Sequence, residues 1–273
     1  MKATCFEVKA PFGTFKDPRT TRGYFTFPFP PKTALIGLIG GVIGVQHNEC
    51  YRPDHFLSKA LVALQLLSRP RFLSCRSNQT QTNQVQNISG ISIGFPKAKS
   101  DRGFIYPQTS TLVQNAAYRI FLHVDDEHRV EINKRLKNHE YHFPPFLGRA
   151  NLLAELDYIG ELELQLVEKK EKPIPVVSVF DLDSIKSIDG SYVVIPKMPN
   201  GYSVEEKEYK LDKEKHTTLQ VRTSALVSMA FGKDESFRVI NLALSEAGCR
   251  RAYRIEKFKE IPDLENMHVM VYP

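Results

Sequence analysis

The sequence predicts an α+β fold on three observations. Strand and helix patterns alternate over residues 1–168, strand patterns alone fill 173–273, and a tract rich in amides, glycine and proline interrupts the first part at 69–111. Residues 2–9 mix β-branched, aromatic and polar side chains as a strand does, and Pro11 and Gly13 end it. The loop that follows carries Phe12, Phe15, Tyr24, Phe25, Phe27 and Phe29 among prolines. Pro30-Pro31 suits a helix start, because proline at the first helical position lacks only an N–H that would be unpaired anyway.

Residues 32–45 then read as a helix holding Gly37, Gly40, Gly41 and Gly44. Each glycine costs about 1 kcal/mol against alanine in a helix interior, so several together imply a helix lying close to a sheet or to a ligand backbone. Ala60–Leu67 is an apolar run of strand length ended by Arg69-Pro70. The neutral polar tract from Ser77 to Asn87, with the breakers Gly90, Gly94, Pro96, Gly103 and Pro107, reads as a protruding arm built as a long β-hairpin. Tyr118–Val124 alternates as a strand. Asp125 or Asp126 is placed to cap the next helix, Glu127–Asn138, through a short carboxylate that accepts from free N–H groups. A Pro/Gly turn at 144–149 precedes a strand over 152–167. The order β-α-β-arm-β-α-β is that of a ferredoxin-like domain.

Lys169-Lys170-Glu171-Lys172-Pro173 reads as a linker into a smaller β-rich part. Its candidate strands are Ile174–Phe180, Tyr192–Ile195, Thr217–Val221, Phe237–Ile240, Ala252–Lys257 and His268–Tyr272, with a charged surface loop over 199–216.

Composition narrows the function. The most apolar run, Ala34–Val45, is 12 residues and broken by four glycines, too short for a bilayer that needs about 20. The first residues lack the apolar core of a secretory signal, so a cytoplasmic protein without a membrane partner is expected. The four cysteines are far apart with no CxxC pair, which points to buried or free thiols. Residues 1–112 hold 14 Lys/Arg against 5 Asp/Glu, a net of +9, whereas 113–273 hold 23 against 26, a net of −3. This asymmetry fits a polyanion partner, or equally a solvated basic face.

Two segments carry the candidate chemistry. Lys16, Arg19, Thr20, Thr21 and Arg22 place three cations and two hydroxyls between a strand and a helix. Guanidinium forks match phosphates, and hydroxyls add neutral hydrogen bonds. Lys32 and Thr33 stand at the helix start, where unpaired N–H groups favour an anion. The interleaved aromatics either stack on unpaired bases or pack in the core. The arm adds Arg69, Arg71, Arg76, Lys97, Lys99 and Arg102, with Asn78 and Gln79 between them and Tyr106 after them. Amides suit base edges and sugars.

These residues resemble a known family. Pro11-Phe12-Gly13-Thr14-Phe15-Lys16-Asp17-Pro18, Thr20-Thr21, and Phe27-Pro28-Phe29-Pro30-Pro31-Lys32-Thr33-Ala34-Leu35-Ile36-Gly37-Leu38-Ile39-Gly40-Gly41-Val42-Ile43-Gly44 look like the amino-terminal signature of the CRISPR-associated Cas-five family. Phe146-Leu147-Gly148-Arg149-Ala150-Asn151 is similar to its second block. The motif support covers residues 2–160. The resemblance implies a RAMP-superfamily, RRM-like domain (1–168) with a β-hairpin thumb (69–111), then a β-rich part (173–273), most like the type I-B version. It further implies a subunit of a type I Cascade surveillance complex that holds the 5′ handle of the CRISPR RNA and caps the backbone filament. The implied partners are that RNA, the filament subunit and the large subunit, and target DNA only indirectly. The loop 16–22, Lys32, Thr33, the arm and Arg149 would then face the handle. No cofactor is implied.

In one branch of the family the subunit cleaves precursor RNA without metal. That needs a base near the 2′-hydroxyl and a group that stabilises the transition-state charge. His123, His139, Tyr141 and His142 form no compact set in the sequence, so no catalytic residue is assigned. His47, Glu49, Cys50 and His55 lack the ligand spacing of a zinc site, so no metal residue is assigned either. A non-catalytic RNA-binding subunit is the first reading, a metal-independent endoribonuclease of CRISPR repeat RNA the alternative, and a protein-only assembly factor the third. Neutralising Arg19 and Arg22 together is expected to weaken handle binding and lower the salt-dependence slope by about one for each phosphate no longer neutralised. An unchanged affinity and slope in a salt titration would refute that assignment.

Overall fold

The computed structural model describes residues 1–18, 20, 24–46, 49–81, 104–168, 172–199, 202–208, 215–221, 226–233 and 239–273. In chain order its first part comprises β1 (Lys2–Gly13), α1 (Lys32–Ile43), a short α2 (Phe56–Lys59), β2 (Leu61–Leu66), β3 (Arg71–Gln81), β4 (Phe104–His123), α3 (Asp126–Asn138) and β5 (Glu155–Leu166). The chain is therefore mixed α+β. Strand β1 is paired antiparallel along both edges, with β4 from Thr4↔Leu122 to Gly13↔Val113 and with β5 from Lys2↔Glu163 to Lys9↔Glu155. β2 pairs with the far end of β4, giving the antiparallel order β5-β1-β4-β2 with α1 and α3 as crossovers. β3 runs back along the near half of β4, from Arg71↔Gln114 to Gln81↔Phe104.

The second part comprises β6 (Ile174–Val176), β7 (Phe180–Asp181), β8 (Ile185–Asp189), β9 (Tyr192–Pro199), β10 (Tyr202–Glu208), β11 (Lys215–Val221), β12 (Leu226–Gly232), β13 (Ile240–Leu244), a short α4 (Glu246–Cys249), β14 (Ala252–Lys257) and β15 (His268–Met270). The main sheet continues into it: β14 pairs with β5, and β15, β6, β13 and β8 follow. β7, β12 and β9 form a separate sheet, and β10 and β11 a two-stranded ribbon.

The sheet buries both faces. On one, Phe6, Val8, Tyr118, Ile120 and Leu122 meet Leu35 and Ile39 of α1 and Ile132 and Leu136 of α3. On the other, Ala3, Cys5, Phe121, Leu162 and Leu164 meet Ile255, Phe258, Leu264 and Val269. Each fully buried large apolar side chain contributes about 1.5–3 kcal/mol. Asp125 is the cap of α3, its carboxylate accepting from His128 N–H at 3.0 Å. Thr4 Oγ1 donates to Asn133 Oδ1 at 2.7 Å and ties that helix to β1. Among the described residues no helix is long and apolar enough to cross a membrane.

Two expectations are corrected. The charged stretch 199–216 is not a loop throughout, since 202–208 form β10, paired from Tyr202↔Val221 to Glu208↔Lys215. A two-stranded ribbon is held by backbone hydrogen bonds and needs no alternating apolar face, so charge did not forbid it. The glycines of α1 do not face a sheet backbone. A Cβ on Gly37 would lie 2.7 Å from the Tyr51 hydroxyl and one on Gly40 3.5 Å from Cys50, while one on Gly41 meets nothing within 4 Å. Gly44 ends the helix in the left-handed region at φ 83°, its N–H bound to the Gly40 carbonyl. The candidate strand Phe237–Ile240 falls mostly outside the described residues, and β13 begins at Ile240.

A polar network crosses β1, β4 and β2. Arg119 donates from Nη2 (2.6 Å) and Nε (3.2 Å) to Glu7 Oε1, and from Nη1 to Gln65 Oε1 (2.9 Å). Lys9 Nζ lies 2.8 Å from Glu7 Oε2. Burial of Glu7 opposes its charge, but the hydrogen bonds from Lys9 and Arg119 outweigh it and hold the carboxyl below its ordinary range. A depressed folded-state pKa adds stability above the unfolded value of about 4.3 and loses it as pH falls through the folded value. Glu7→Gln is therefore expected to cost about 1.5–3 kcal/mol at neutral pH. In urea melts at stepped pH, the gap to wild type is expected to narrow once pH drops below about 4.

Gly148 sits at φ 90°, and a Cβ there would fall 1.6 Å from the Thr14 carbonyl oxygen. Gly148→Ala is expected to cost more than ~2 kcal/mol, from the strained φ and the backbone clash together. Gly41→Ala, in open space on a helix, is expected to be neutral or to stabilise by up to ~1 kcal/mol. Urea midpoints of the two variants check the contrast.

Candidate nucleic-acid interface

The loop after β1 folds back on itself. Phe27 N–H donates to Phe15 O and Asp17 N–H to Phe25 O, each at 2.9 Å, and Phe15 N–H donates to Thr26 Oγ1 at 2.7 Å. The turn is held by Thr20, whose N–H (3.2 Å) and hydroxyl (2.8 Å) both donate to Asp17 O. Arg19, Thr21 and Arg22 lie outside the described residues. The returning chain joins the base of the β3–β4 ribbon: Tyr24 N–H donates to Thr109 O at 2.9 Å, and Thr111 N–H donates to Tyr24 O at 2.7 Å.

This clamp divides the aromatics. Phe15, Phe27 and Phe29 are buried in the core, Phe15 lying edge-on to Tyr118 at 6.2 Å. The Tyr118 hydroxyl donates to Pro28 O at 2.9 Å. Phe25 is 55% exposed, and Tyr24 is half-buried. The Tyr24 ring carries Lys16 Nζ at 4.4 Å and Arg149 Cζ at 4.7 Å from its centroid. Each such cation–ring pair is worth about 0.5–1 kcal/mol at an exposed site.

Arg149 arrives from the turn before β5. Thr14 N–H donates to Leu147 O at 3.1 Å, and Leu152 N–H donates to Arg149 O at 2.8 Å. Only a glycine at 148 lets that turn approach Thr14 so closely. The two distant motif blocks thus meet at one surface, and Lys16 and Arg149 share one ring.

The remaining residues are placed as follows. Arg76 is exposed opposite Thr109 on β4, whose carbonyl binds Tyr24, so Arg76 lies two strand spacings from Tyr24, roughly 10 Å. Arg69 and Arg71 are exposed at the start of β3. In the backbone register of the ribbon, Asn78 is paired with Pro107 and Gln79 with Tyr106. Lys97, Lys99 and Arg102 lie outside the described residues. Lys32 is half-buried. Burial, then the nearby Arg251, pushes its ammonium pKa down. Thr33 is buried, and its carbonyl accepts from the Tyr51 hydroxyl at 2.9 Å.

Sequence alone does not mark Tyr24 and Phe25 as the aromatics that reach the surface. Nothing local separates them from Phe27 and Phe29, because the choice is made by pairing with β4. The histidines are engaged separately. His123 Nδ1 donates to Lys2 O at 2.6 Å, and His139 Nδ1 pairs with the Tyr141 hydroxyl at 2.9 Å, which itself donates to Leu156 O. Burial, and then the nearby Asp157, raises the Tyr141 phenol pKa. His55 Nδ1 accepts from Leu57 N–H at 3.2 Å, and burial pushes the Cys50 thiol up to about 11. Among the described residues no cluster of His, Cys, Asp and Glu could hold a metal ion.

Solved structures match the chain at low identity. A chain of a "CRISPR RNA-guided surveillance complex" is 12% identical with a TM-score of 0.49, over 89% of this chain and 91% of that one. A Cas protein crystal structure is 11% identical with a TM-score of 0.40, over 80% and 94%. A chain of the type III-B Cmr-beta complex bound to cognate target RNA and AMPPnP is 8% identical with a TM-score of 0.40, over 87% and 86%. No curated protein sequence matches. The family model described as CRISPR-associated protein (Cas_Cas5) matches residues 4–233, and the chain belongs to that family.

Proposed function

We propose that this protein is a non-catalytic subunit of a type I Cascade surveillance complex that holds the 5′ handle of the CRISPR RNA and caps the backbone filament. The observation that carries the reading is the Lys16–Tyr24–Arg149 cluster beside exposed Phe25, at the root of the β3–β4 ribbon. Two cations crowded on one ring repel each other, and a phosphate between them relieves that repulsion. Tyr24 and Phe25 offer faces on which unpaired bases stack. The strand order β5-β1-β4-β2 with two helical crossovers supports a ferredoxin-like, RRM-like reading of residues 1–168, and the ribbon supports the thumb. Residues 173–273 are then the β-rich second part, most like that of type I-B, and the filament and large subunits are the protein neighbours.

The test is binding of CRISPR repeat RNA by the full chain, in EDTA, across a salt series. The double variant Lys16→Gln/Arg149→Gln is expected to bind more weakly and to lower the salt slope by about 0.7 for each single-strand phosphate it no longer neutralises. Tyr24→Ala is expected to lose about 1–3 kcal/mol of affinity with the slope unchanged. Salt-independent binding, or none, would sink the reading, and specific cleavage of the RNA in EDTA would replace it with the endoribonuclease.

A further inference from the structure

We propose that the recess between the end of β5 and the strands β14 and β15 binds a small zwitterion, an α-amino acid with a short apolar side chain. The proposal stands apart from the RNA-holding reading. Gln165 is paired with Arg254, and Arg254 with His268, so the three residues form one row across β5, β14 and β15. With Leu166, Val167 and Glu168 they line a cavity of about 280 Å³. That volume lies just below the usual range of ligand pockets, so the occupant is small.

The lining carries two opposite charges that do not meet. Arg254 is half-buried, and among the described residues its hydrogen bond goes to Asn266 Oδ1 and to no carboxylate. A guanidinium has five N–H donors in a fork that matches a carboxylate, so Arg254 keeps donors for one. Glu168 is exposed and, among the described residues, pairs with no cation. His268 is buried, and its Nδ1 donates to Pro175 O at 3.1 Å, which fixes the ring as a wall. Leu166, 50% exposed, and buried Val167 add an apolar flank. A plain anion is attracted by Arg254 and repelled by Glu168, and a plain cation the reverse. A molecule that carries both charges satisfies both side chains. A nucleic acid brings phosphates alone, and residues 113–273, with 23 Lys/Arg against 26 Asp/Glu, repel them.

The test is binding to the full chain at neutral pH and constant ionic strength, followed by ligand-observed NMR. The probes are L-alanine, propionate, which lacks the ammonium, and ethylamine, which lacks the carboxylate. L-alanine is expected to bind with a Kd of about 1 mM. Propionate and ethylamine are each expected to bind about tenfold more weakly, one charged hydrogen-bonded pair being lost in each. Arg254→Gln is expected to weaken alanine about tenfold and to leave ethylamine unchanged. Glu168→Gln is expected to weaken alanine about tenfold and to leave propionate no weaker, with an unchanged melting temperature. The second variant keeps the test decisive if loss of the Asn266 contact unfolds Arg254→Gln. Propionate bound as tightly as alanine makes the recess a simple anion site and overturns the proposal. So does the lack of a saturable alanine signal in wild type, or wild-type affinity in Glu168→Gln. Displacement of alanine by CRISPR repeat RNA assigns Arg254 to a phosphate and overturns it too.

Discussion

The double pairing of β1 is the constraint on which the site depends. Its register with β4 puts Gly13 beside Val113, so the loop that follows must leave next to the root of the ribbon. Its register with β5 puts Lys9 beside Glu155, so the turn before β5 must arrive at the same end of the strand. The segments around Lys16 and Arg149 are more than a hundred residues apart, and they meet because one strand sets both registers. A one-residue slip would turn every side chain of β1 to the opposite face. The buried Phe6 and Val8 on one side and Cys5 on the other make such a slip costly.

Burial then sorts residues that look alike in the chain. Three phenylalanines of the loop go into the core and anchor it, while Phe25 is exposed and Tyr24 half-buried at the surface. In the proposed RNA-holding role, such anchoring lowers the entropy cost of capturing a flexible strand. The cations gain from it as well. Lys16 and Arg149 are long, flexible side chains, and a shared ring restricts where their charges sit.

What is legible in the sequence is whatever repeats locally. The periodicity of 161–166, the capping position of Asp125 and the Pro–Gly boundaries of α1 describe elements that form where expected. What is not legible is set by tertiary approach. The glycine at 148 reads as turn punctuation until the Thr14 carbonyl is placed against it. The glycines of α1 look equivalent, yet Gly37 is filled by Tyr51 while Gly41 is open, because the turn after the helix returns over one and not the other. The charged strand β10 has no apolar alternation to reveal it. Thr33 reads as an anion ligand at a helix start, and its burial follows from the packing of everything around that start.

The helix start also links the two parts of the chain. The Tyr272 hydroxyl donates to Pro30 O at 2.8 Å, and its N–H donates to Val62 O at the same distance. Phe29 lies edge-on to Phe231 at 5.9 Å. Arg251, which repels Lys32, is itself paired to buried Asp181 at 2.7 Å. The loop that presents Tyr24 is therefore braced from below by residues of the last part of the chain, far from it in sequence. Tyr272 thereby ties the Phe-Pro-Phe-Pro-Pro segment, where the loop ends and α1 begins, to the last strand region of the chain. The β-rich residues 173–273 in this sense pack beneath the surface formed by the residues before them, and the main sheet runs on from β5 into β14.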